Sequence, residues 1–244
     1  MEHPSISVVF PVSNEEAILE QGLRTLAVFL EGCGLSAFEV LVIESGSTDG
    51  SARIADRLAE QLPCVRVIHE GRRNGFGAAI QLGYRAARMD WIWLMTPDLP
   101  FALETLHAAL ALPLDQYDAV LSYRVNGSRN RLRRLQSVVF NQSVKLLFGL
   151  RVRCVNAAFK LIRWRLVEDV EFYSRGWTFE TELVWTLQDC GARVVEVPIS
   201  LIERTGGSSK IGVTTPFQVA RDLVLLRFGP CSRRGHSRHP YQGA

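Results

Sequence analysis

The chain has 244 residues, 47% of them hydrophobic, with a formal net charge of +3 at pH 7. That length fits one large α/β domain or two small ones and is enough to bury a full core, at the apolar content of an ordinary globular protein. No uninterrupted apolar run reaches the roughly 18 residues of a membrane-spanning helix. Met1–Pro4 leads straight into the first predicted strand, so no secretory signal is expected. Cys33, Cys64, Cys154, Cys190 and Cys231 are scattered, odd in number and without CxxC spacing. This points to a reducing cytoplasm and away from a zinc site.

In chain order, the pattern predicts a strand at Ile6–Pro11, a helix at Glu15–Leu30, a strand at Phe38–Ile43 and a helix at Ser51–Leu62. A strand at Val65–His69, a helix at Ala78–Arg88, a strand at Trp91–Met95, a helix at Leu103–Leu112 and a strand at Ala119–Tyr123 follow. This alternation with short connections implies an α/β fold, a mainly parallel sheet with helices on both faces. The second half is less regular. It reads as a long helix at Leu132–Phe148, a strand at Ala157–Ile162, a helix at Phe179–Asp189 and an apolar helix at Thr215–Phe228 after a Gly- and Ser-rich loop. Residues 1–228 are expected to form one domain, and the tail Gly229–Ala244 has a composition expected to be disordered.

Charge is uneven. Arg124 to Arg134 carries five arginines, and no acidic residue follows Asp222 while Arg227, Arg233, Arg234 and Arg238 accumulate. No aromatic-and-basic recognition motif accompanies them, so nucleic acid is not an expected partner.

The most informative stretch is Val40–Gly50, VLVIESGSTDG. Four apolar residues read as a strand buried on both faces. Gly46 allows a tight turn, and Ser47, Thr48 and Asp49 are candidate caps for the next helix. The carboxyl end of such a strand, feeding a helix, is where open α/β sheets bind ligands, phosphorylated ones especially. The same run also fits an ordinary strand–turn–helix junction.

The turn resembles the VVDDGSTDGT segment of family 2 glycosyltransferases. Five further segments follow in that family's order: Ser7–Glu16 (SVVFPVSNEE), Gly75–Gly83 (GFGAAIQLG), Asp90–Phe101 (DWIWLMTPDLPF), Arg151–Arg163 (RVRCVNAAFKLIR) and the VPISLIERTGGSSK that ends at Lys210. The resemblance implies the nucleotide-sugar-binding glycosyltransferase A-type fold. It is nearest the branch acting on polyprenyl phosphates, the dolichyl-phosphate mannose synthase type.

What the resemblance implies for the site follows residue by residue. Pro11, Val12 and Glu15 would border the nucleotide. Glu44 would receive the base or ribose, and Gly46, Ser47 and Asp49 would line the same turn. Gly75 and Gly77 would let the backbone approach the ligand, or would simply shape a helix start. A divalent cation, Mg²⁺ or Mn²⁺, is normally held by an Asp-x-Asp pair; here the motif reads Thr96-Pro97-Asp98, which leaves Asp98 as a weak metal ligand. Ser13, Ser45 and Cys154 also depart from the pattern, replacing an aromatic and two acidic residues. Arg124, Arg131, Arg134, Arg204 and Lys210 match segments near the pyrophosphate and acceptor, and would either bind phosphate or form a solvated basic surface. Glu182 matches a glutamate near the acceptor, where it would act as a base or stand as a helix carboxylate paired with an arginine. Glu180, two residues away, projects to another face.

The leading expectation is an inverting hexosyltransferase that moves a sugar from a nucleoside diphosphate to a polyprenyl phosphate or glycan acceptor. It would work in the cytoplasm or at the cytoplasmic face of a membrane. Thr215–Phe228 would lie on that surface or close the core. A non-catalytic relative binding a nucleotide sugar, lipid phosphate or partner protein is the alternative, and a nucleotidyltransferase the third.

Overall fold

The computed structural model describes residues 3–125, 131–176, 178–202 and 215–229. Seven strands form one sheet: β1 (Ser5–Val12), β2 (Ala37–Glu44), β3 (Val65–His69), β4 (Trp91–Leu94), β5 (Ala119–Arg124), β6 (Lys160–Arg163) and β7 (Val194–Ile199). The helices are α1 (Glu16–Glu31), α2 (Ser51–Gln61), α3 (Phe76–Ala86), α4 (Thr105–Leu110), α5 (Arg131–Phe148), α6 (Phe179–Asp189) and α7 (Thr215–Phe228). The spatial order is β3-β2-β1-β4-β6-β5-β7. All neighbours are parallel except β6, which runs antiparallel to both β4 and β5.

The near-continuous apolar runs of β1 and β2 follow from burial on both faces. Ile6, Val8, Phe10 and Val12 pack on one side with Leu19, Leu23, Leu26 and Leu30 of α1. Val9, Leu41 and Ile43 face the other side, with Ala79, Ile80 and Tyr84 of α3 and Phe179, Leu183 and Leu187 of α6. A third cluster joins Leu121 to Val144 and Phe148 of α5 and to Leu223 and Leu226 of α7.

Several boundaries differ from expectation. α3 starts at Phe76, because Gly75 with φ +105° turns the chain into the helix two residues earlier than the pattern suggests. β6 begins at Lys160 and not Ala157; just before it, the Phe159 N–H is taken by the Ser122 hydroxyl at 3.0 Å and not by a strand carbonyl. α4 is only Thr105–Leu110. Most of the tail expected to be disordered, and the Gly- and Ser-rich loop before α7, lie outside the described residues.

At the amino end of β5 a single carboxylate fastens the second half of the sheet. Asp118 is 0% exposed. Its Oδ2 accepts from the Arg193 main-chain N–H at 3.0 Å and Nε at 2.9 Å, while Oδ1 accepts from Arg165 Nη2 at 3.4 Å and faces Arg163 Nε at 3.8 Å. β5, β6 and the approach to β7 are thereby tied at one point. Removing one partner of a buried ion pair costs about 3–5 kcal/mol. These arginines reach water, so Asp118→Ala is expected to cost about 3 kcal/mol in a urea titration, near the lower end of that range. A loss below about 1 kcal/mol, the size of one ordinary hydrogen bond, would show that the cluster is not a fastening point.

Candidate active site

The strand order reverses at β1: β2 and β3 lie on one side and β4 on the other. In open α/β sheets the crevice at such a reversal, beyond the strand carboxyl ends, is where ligands bind. Pro11 and Asp98 flank it. The last β1–β4 pair is Val9 with Leu94, and Met95 N–H donates to Val9 O at 3.0 Å. Pro11 has the same parity as Val9, so its missing N–H faces β4 where β4 has already ended. A proline therefore fits this central strand without a lost ladder bond. Val12 is buried, and its carbonyl accepts from Ser45 N–H at 2.9 Å. The Ser13 hydroxyl, beside the crevice, is buried without a hydrogen-bond partner among the described residues.

The turns after β1 and β2 are laced together. Asn14, in the left-handed region at φ +54°, donates its N–H to Ser47 Oγ at 3.1 Å and accepts from Thr48 N–H at 2.8 Å. Glu15 N–H donates to Ser51 Oγ at 2.9 Å, and Gly50 N–H to Glu16 Oε2 at 2.9 Å. Asp49 accepts from Ser51 N–H at 3.0 Å through one oxygen and from Glu16 N–H at 3.2 Å through the other. The orphan amides that open α1 and α2 are thus satisfied reciprocally. Ser47 and Asp49 lie in this turn, and the capping expectation for them needs correction. Gly50 occupies the cap position of α2, and Asp49 bridges both helix starts. Burial pushes the Asp49 carboxyl up, but hydrogen bonds from Ser51 and Glu16 outweigh it and hold it below its ordinary range.

Glu44 closes this edge of the cleft and is 3% exposed. Its Oε1 accepts from Ser47 N–H at 2.5 Å and its Oε2 meets His69 Nδ1 at 3.0 Å, while His69 Nε2 meets Asp56 at 2.9 Å. Any base or ribose contact to Glu44 would therefore share a carboxylate already held by its own turn. Burial raises the Glu44 pKa, but the His69 and Ser47 hydrogen bonds lower it further, below the ordinary value. His69 is raised by Glu44 first and Asp56 second. Ser45, which stands where the family pattern has an acid, donates to a carboxylate from the next strand end, Glu70.

Gly46 makes the tight turn and Gly75 shapes the start of α3, two of the expectations for these glycines. A Cβ on Gly46 (φ +56°) would sit 2.8 Å from Arg72 Cα; one on Gly75 would sit 2.3 Å from the Arg175 carbonyl oxygen, and one on Gly77 2.6 Å from that of Ser174. The close approach that requires glycine at all three is by the chain's own backbone. The 173–175 segment is held against α3 by Glu182, which is 5% exposed and accepts from Tyr173 N–H at 2.8 Å and Ser174 N–H at 2.7 Å. Glu180 does face elsewhere, and pairs with the buried Lys160. Burial and the Glu180 charge push the neighbouring Tyr84 hydroxyl far above its usual range.

On the other side of the crevice, Thr96 Oγ1 donates to Asp98 Oδ1 at 2.6 Å, and Leu99 N–H closes the turn onto Thr96 O at 3.0 Å. Leu99 adopts φ +41°, a strained conformation for a leucine. Gly22 of α1 lets the turn seat, because a Cβ there would lie 2.4 Å from Pro97 O. One carboxylate, with an oxygen engaged by a hydroxyl, is a poor donor set for a divalent cation. Among the described residues no group of three His, Cys, Asp or Glu side chains is placed to hold one. Arg124 ends β5 and is exposed. Arg131 and Arg134 lie in α5, but their side chains, like Arg204 and Lys210 entirely, lie outside the described residues.

Residues 7–170 match the family model described as "Glycosyl transferase family 2". The chain belongs to glycosyltransferase family 2. It is 31% identical over 204 residues to Glycosyltransferase AglD of Haloferax volcanii, covering 80% of this chain and 32% of that protein. It is 29% identical over 220 residues to undecaprenyl-phosphate 4-deoxy-4-formamido-L-arabinose transferase of Pseudomonas paraeruginosa, covering 90% and 64%. The chain thus spans about a third of the first relative and just under two thirds of the second. In structure it is similar to glucosyl-3-phosphoglycerate synthase from Mycobacterium tuberculosis in complex with UDP. The TM-score is 0.67 at 21% identity, over 91% of this chain and 79% of that one. The glycosyltransferase A-type fold and the family enzyme class are therefore those expected.

Two outcomes test the site. Thr96→Asp restores a second carboxylate and is expected to tighten Mn²⁺ binding about tenfold or more in calorimetry, while the unaltered protein binds only at millimolar levels. Tight, stoichiometric binding by the unaltered protein would contradict this. A histidine with a raised folded-state pKa adds stability below its unfolded value, near 6.5, and loses it as pH rises through the folded value. His69→Gln should therefore lower the melting temperature more at pH 6 than at pH 9; an equal loss at both would show that the Glu44–His69–Asp56 contact carries no charge.

Proposed function

We propose that the chain transfers a sugar from a nucleoside diphosphate sugar to a polyprenyl phosphate, with inversion at the anomeric carbon. The observation that carries this reading is an apolar face built by two neighbouring helices. α5 and α7 bury Val144, Phe148, Leu223 and Leu226 against the sheet, yet leave Leu135, Val138, Val139, Leu146, Val224 and Phe228 about half exposed or more. Such a face suits a membrane interface, and the arginines at the start of α5 suit its anionic headgroups. No helix among the described residues is long and apolar enough to cross a membrane. The Pseudomonas relative is named for undecaprenyl phosphate, which supports the same acceptor class.

In this reading the nucleotide lies over the β1–β4 crevice, bordered by Pro11, Val12, Glu15, Glu44, Gly46, Ser47 and Asp49. The acceptor phosphate oxygen attacks the anomeric carbon as the bond to the diphosphate breaks, and the nucleoside diphosphate leaves with the charge. A phosphate is already anionic and needs no base, which suits a Glu182 whose carboxylate is committed to main-chain amides. Arg124, Arg134, Arg204 and Lys210 would face the acceptor phosphate and the leaving group. The Mycobacterium tuberculosis synthase has also been seen with Mn²⁺ and UDP; the Thr96–Asp98 turn does not suit that cation, and we route no step through it.

The test is a transfer assay with the full chain, UDP- and GDP-sugars, and either undecaprenyl phosphate or undecaprenol in detergent. Mass spectrometry should find a glycosylated polyprenyl phosphate and no glycosylated alcohol. Transfer to the alcohol or to a free sugar, with none to the phosphate, would overturn the acceptor assignment.

A further inference from the structure

We infer that Arg175, presented by Glu182, binds the diphosphate of the donor. The inference rests on the nucleotide-sugar reading above and assigns a residue that no motif marked.

The backbone at Arg175 is held from several sides. From one side, the buried Glu182 carboxylate fixes the two preceding amides, at 2.8 and 2.7 Å. From the other, Gly77 N–H donates to the Arg175 carbonyl at 2.9 Å, and Gln81 Nε2 reaches the Ser174 carbonyl at 3.4 Å. Below, Phe172 packs on Phe179 with ring centroids 4.9 Å apart. Gly75 and Gly77 have no room for a side chain because this segment presses on them. Burying an ionised carboxylate is costly unless it is well hydrogen-bonded. Here that carboxylate is spent on the backbone of an exposed loop.

What the loop carries is a cation without a counterion. Arg175 is exposed, and its guanidinium has no ion pair or hydrogen bond among the described residues. Some arginines elsewhere are matched, Arg24 and Arg57 with Glu20, Arg66 with Glu39, and Arg163, Arg165 and Arg193 with Asp118. Arg53, Arg73, Arg85, Arg88, Arg124 and Arg151 share with Arg175 the lack of an ion pair among the described residues, but none of them follows two amides held by a buried carboxylate. Arg175 also sits at the working edge of the sheet. It lies on the start of α3, which follows the carboxyl end of β3, and the other end of the same linker, Arg72, lies on the Gly46 turn after β2. Glu44, Asp49, Glu70 and Asp98 at the strand ends are acidic, so a diphosphate there needs cations, and Arg175 would join Arg124 in supplying them. The Thr96–Asp98 turn is a poor holder of a metal. A guanidinium offers a planar fork that matches phosphate oxygens in pairs. Glu182 is then a positioning residue that acts through Arg175, and not the base that its motif suggests.

The experiment is calorimetry on the full chain with UDP and GDP, each against its monophosphate, in EDTA. Arg175→Ala is expected to weaken the better-bound diphosphate about tenfold or more, the size of a lost charged hydrogen bond, and its monophosphate about threefold or less. Arg175→Lys should recover part of the loss. Glu182→Gln should weaken the diphosphate in the same sense, and adding it to Arg175→Ala should cost little more, because both act through one contact. In the transfer assay, Glu182→Gln should raise the donor KM and leave the shape of the kcat–pH profile unchanged. Arg175→Ala binding the diphosphate like the unaltered chain would overturn the inference. So would Glu182→Gln abolishing kcat at unchanged diphosphate affinity, which is the signature of a base. Binding of neither diphosphate by the unaltered chain would instead overturn the nucleotide-sugar reading itself, and this inference with it.

Discussion

The site depends on one shared set of hydrogen bonds, those between the turns that follow β1 and β2. Neither turn satisfies its helix start alone. Asn14, Glu16, Ser47, Asp49 and Ser51 each serve a backbone amide of the other segment or of both. The two strand ends are thereby held in register where the ladder has stopped, and Glu44 is fixed at their edge. Because the partners are amides that would otherwise lack acceptors, loosening one turn exposes the other helix start as well. This reciprocity makes this side of the cleft a preformed surface.

Charge is arranged differently at the two ends of the sheet. At the amino ends, three arginines converge on the single buried Asp118 carboxylate and are held by it. At the carboxyl ends, carboxylates are engaged by backbone and hydroxyl donors, while Arg124 and Arg175 are exposed. The first arrangement fastens strands, and the second leaves positive charge available to a ligand. The reversed strand β6 links the ends, because it starts near the site at Lys160 and finishes at Arg163 on the Asp118 cluster.

Much of this was legible in the sequence. The buried runs at Val8–Phe10 and Val40–Ile43, the five-residue strand at Val65–His69 and the amphipathic period of α1 and α2 carry their own local signals, and the motif order implied the fold. The direction of β6 was not legible, since a four-residue strand has no polarity in its apolar pattern. The glycines were recognised as constrained positions, but what constrains Gly75 and Gly77 is a segment about a hundred residues away. Asp49 and Glu44 read as ligand groups because a carboxylate in a turn has the same letter whether it faces water, a ligand or a neighbouring amide. Arg175 had no signal at all; its place follows from Glu182 and Gly77, which meet it only after folding. Gly22, which seats the Pro97 turn, looked like an ordinary helix residue.

The two edges of the sheet carry a further consequence. β7 is paired with β5 through residues of one parity, as the Ile199 carbonyl accepting from Val125 N–H shows. Pro198, of the opposite parity, therefore turns its missing N–H towards the free edge, and so removes a donor from the row that another chain would need. β3, the opposite edge, is only five residues long and is crossed by charged side chains at Arg66 and His69. On the proposed lipid surface, a molecule of this kind would be crowded against copies of itself. Blunted strand edges keep that crowding from becoming cross-strand aggregation.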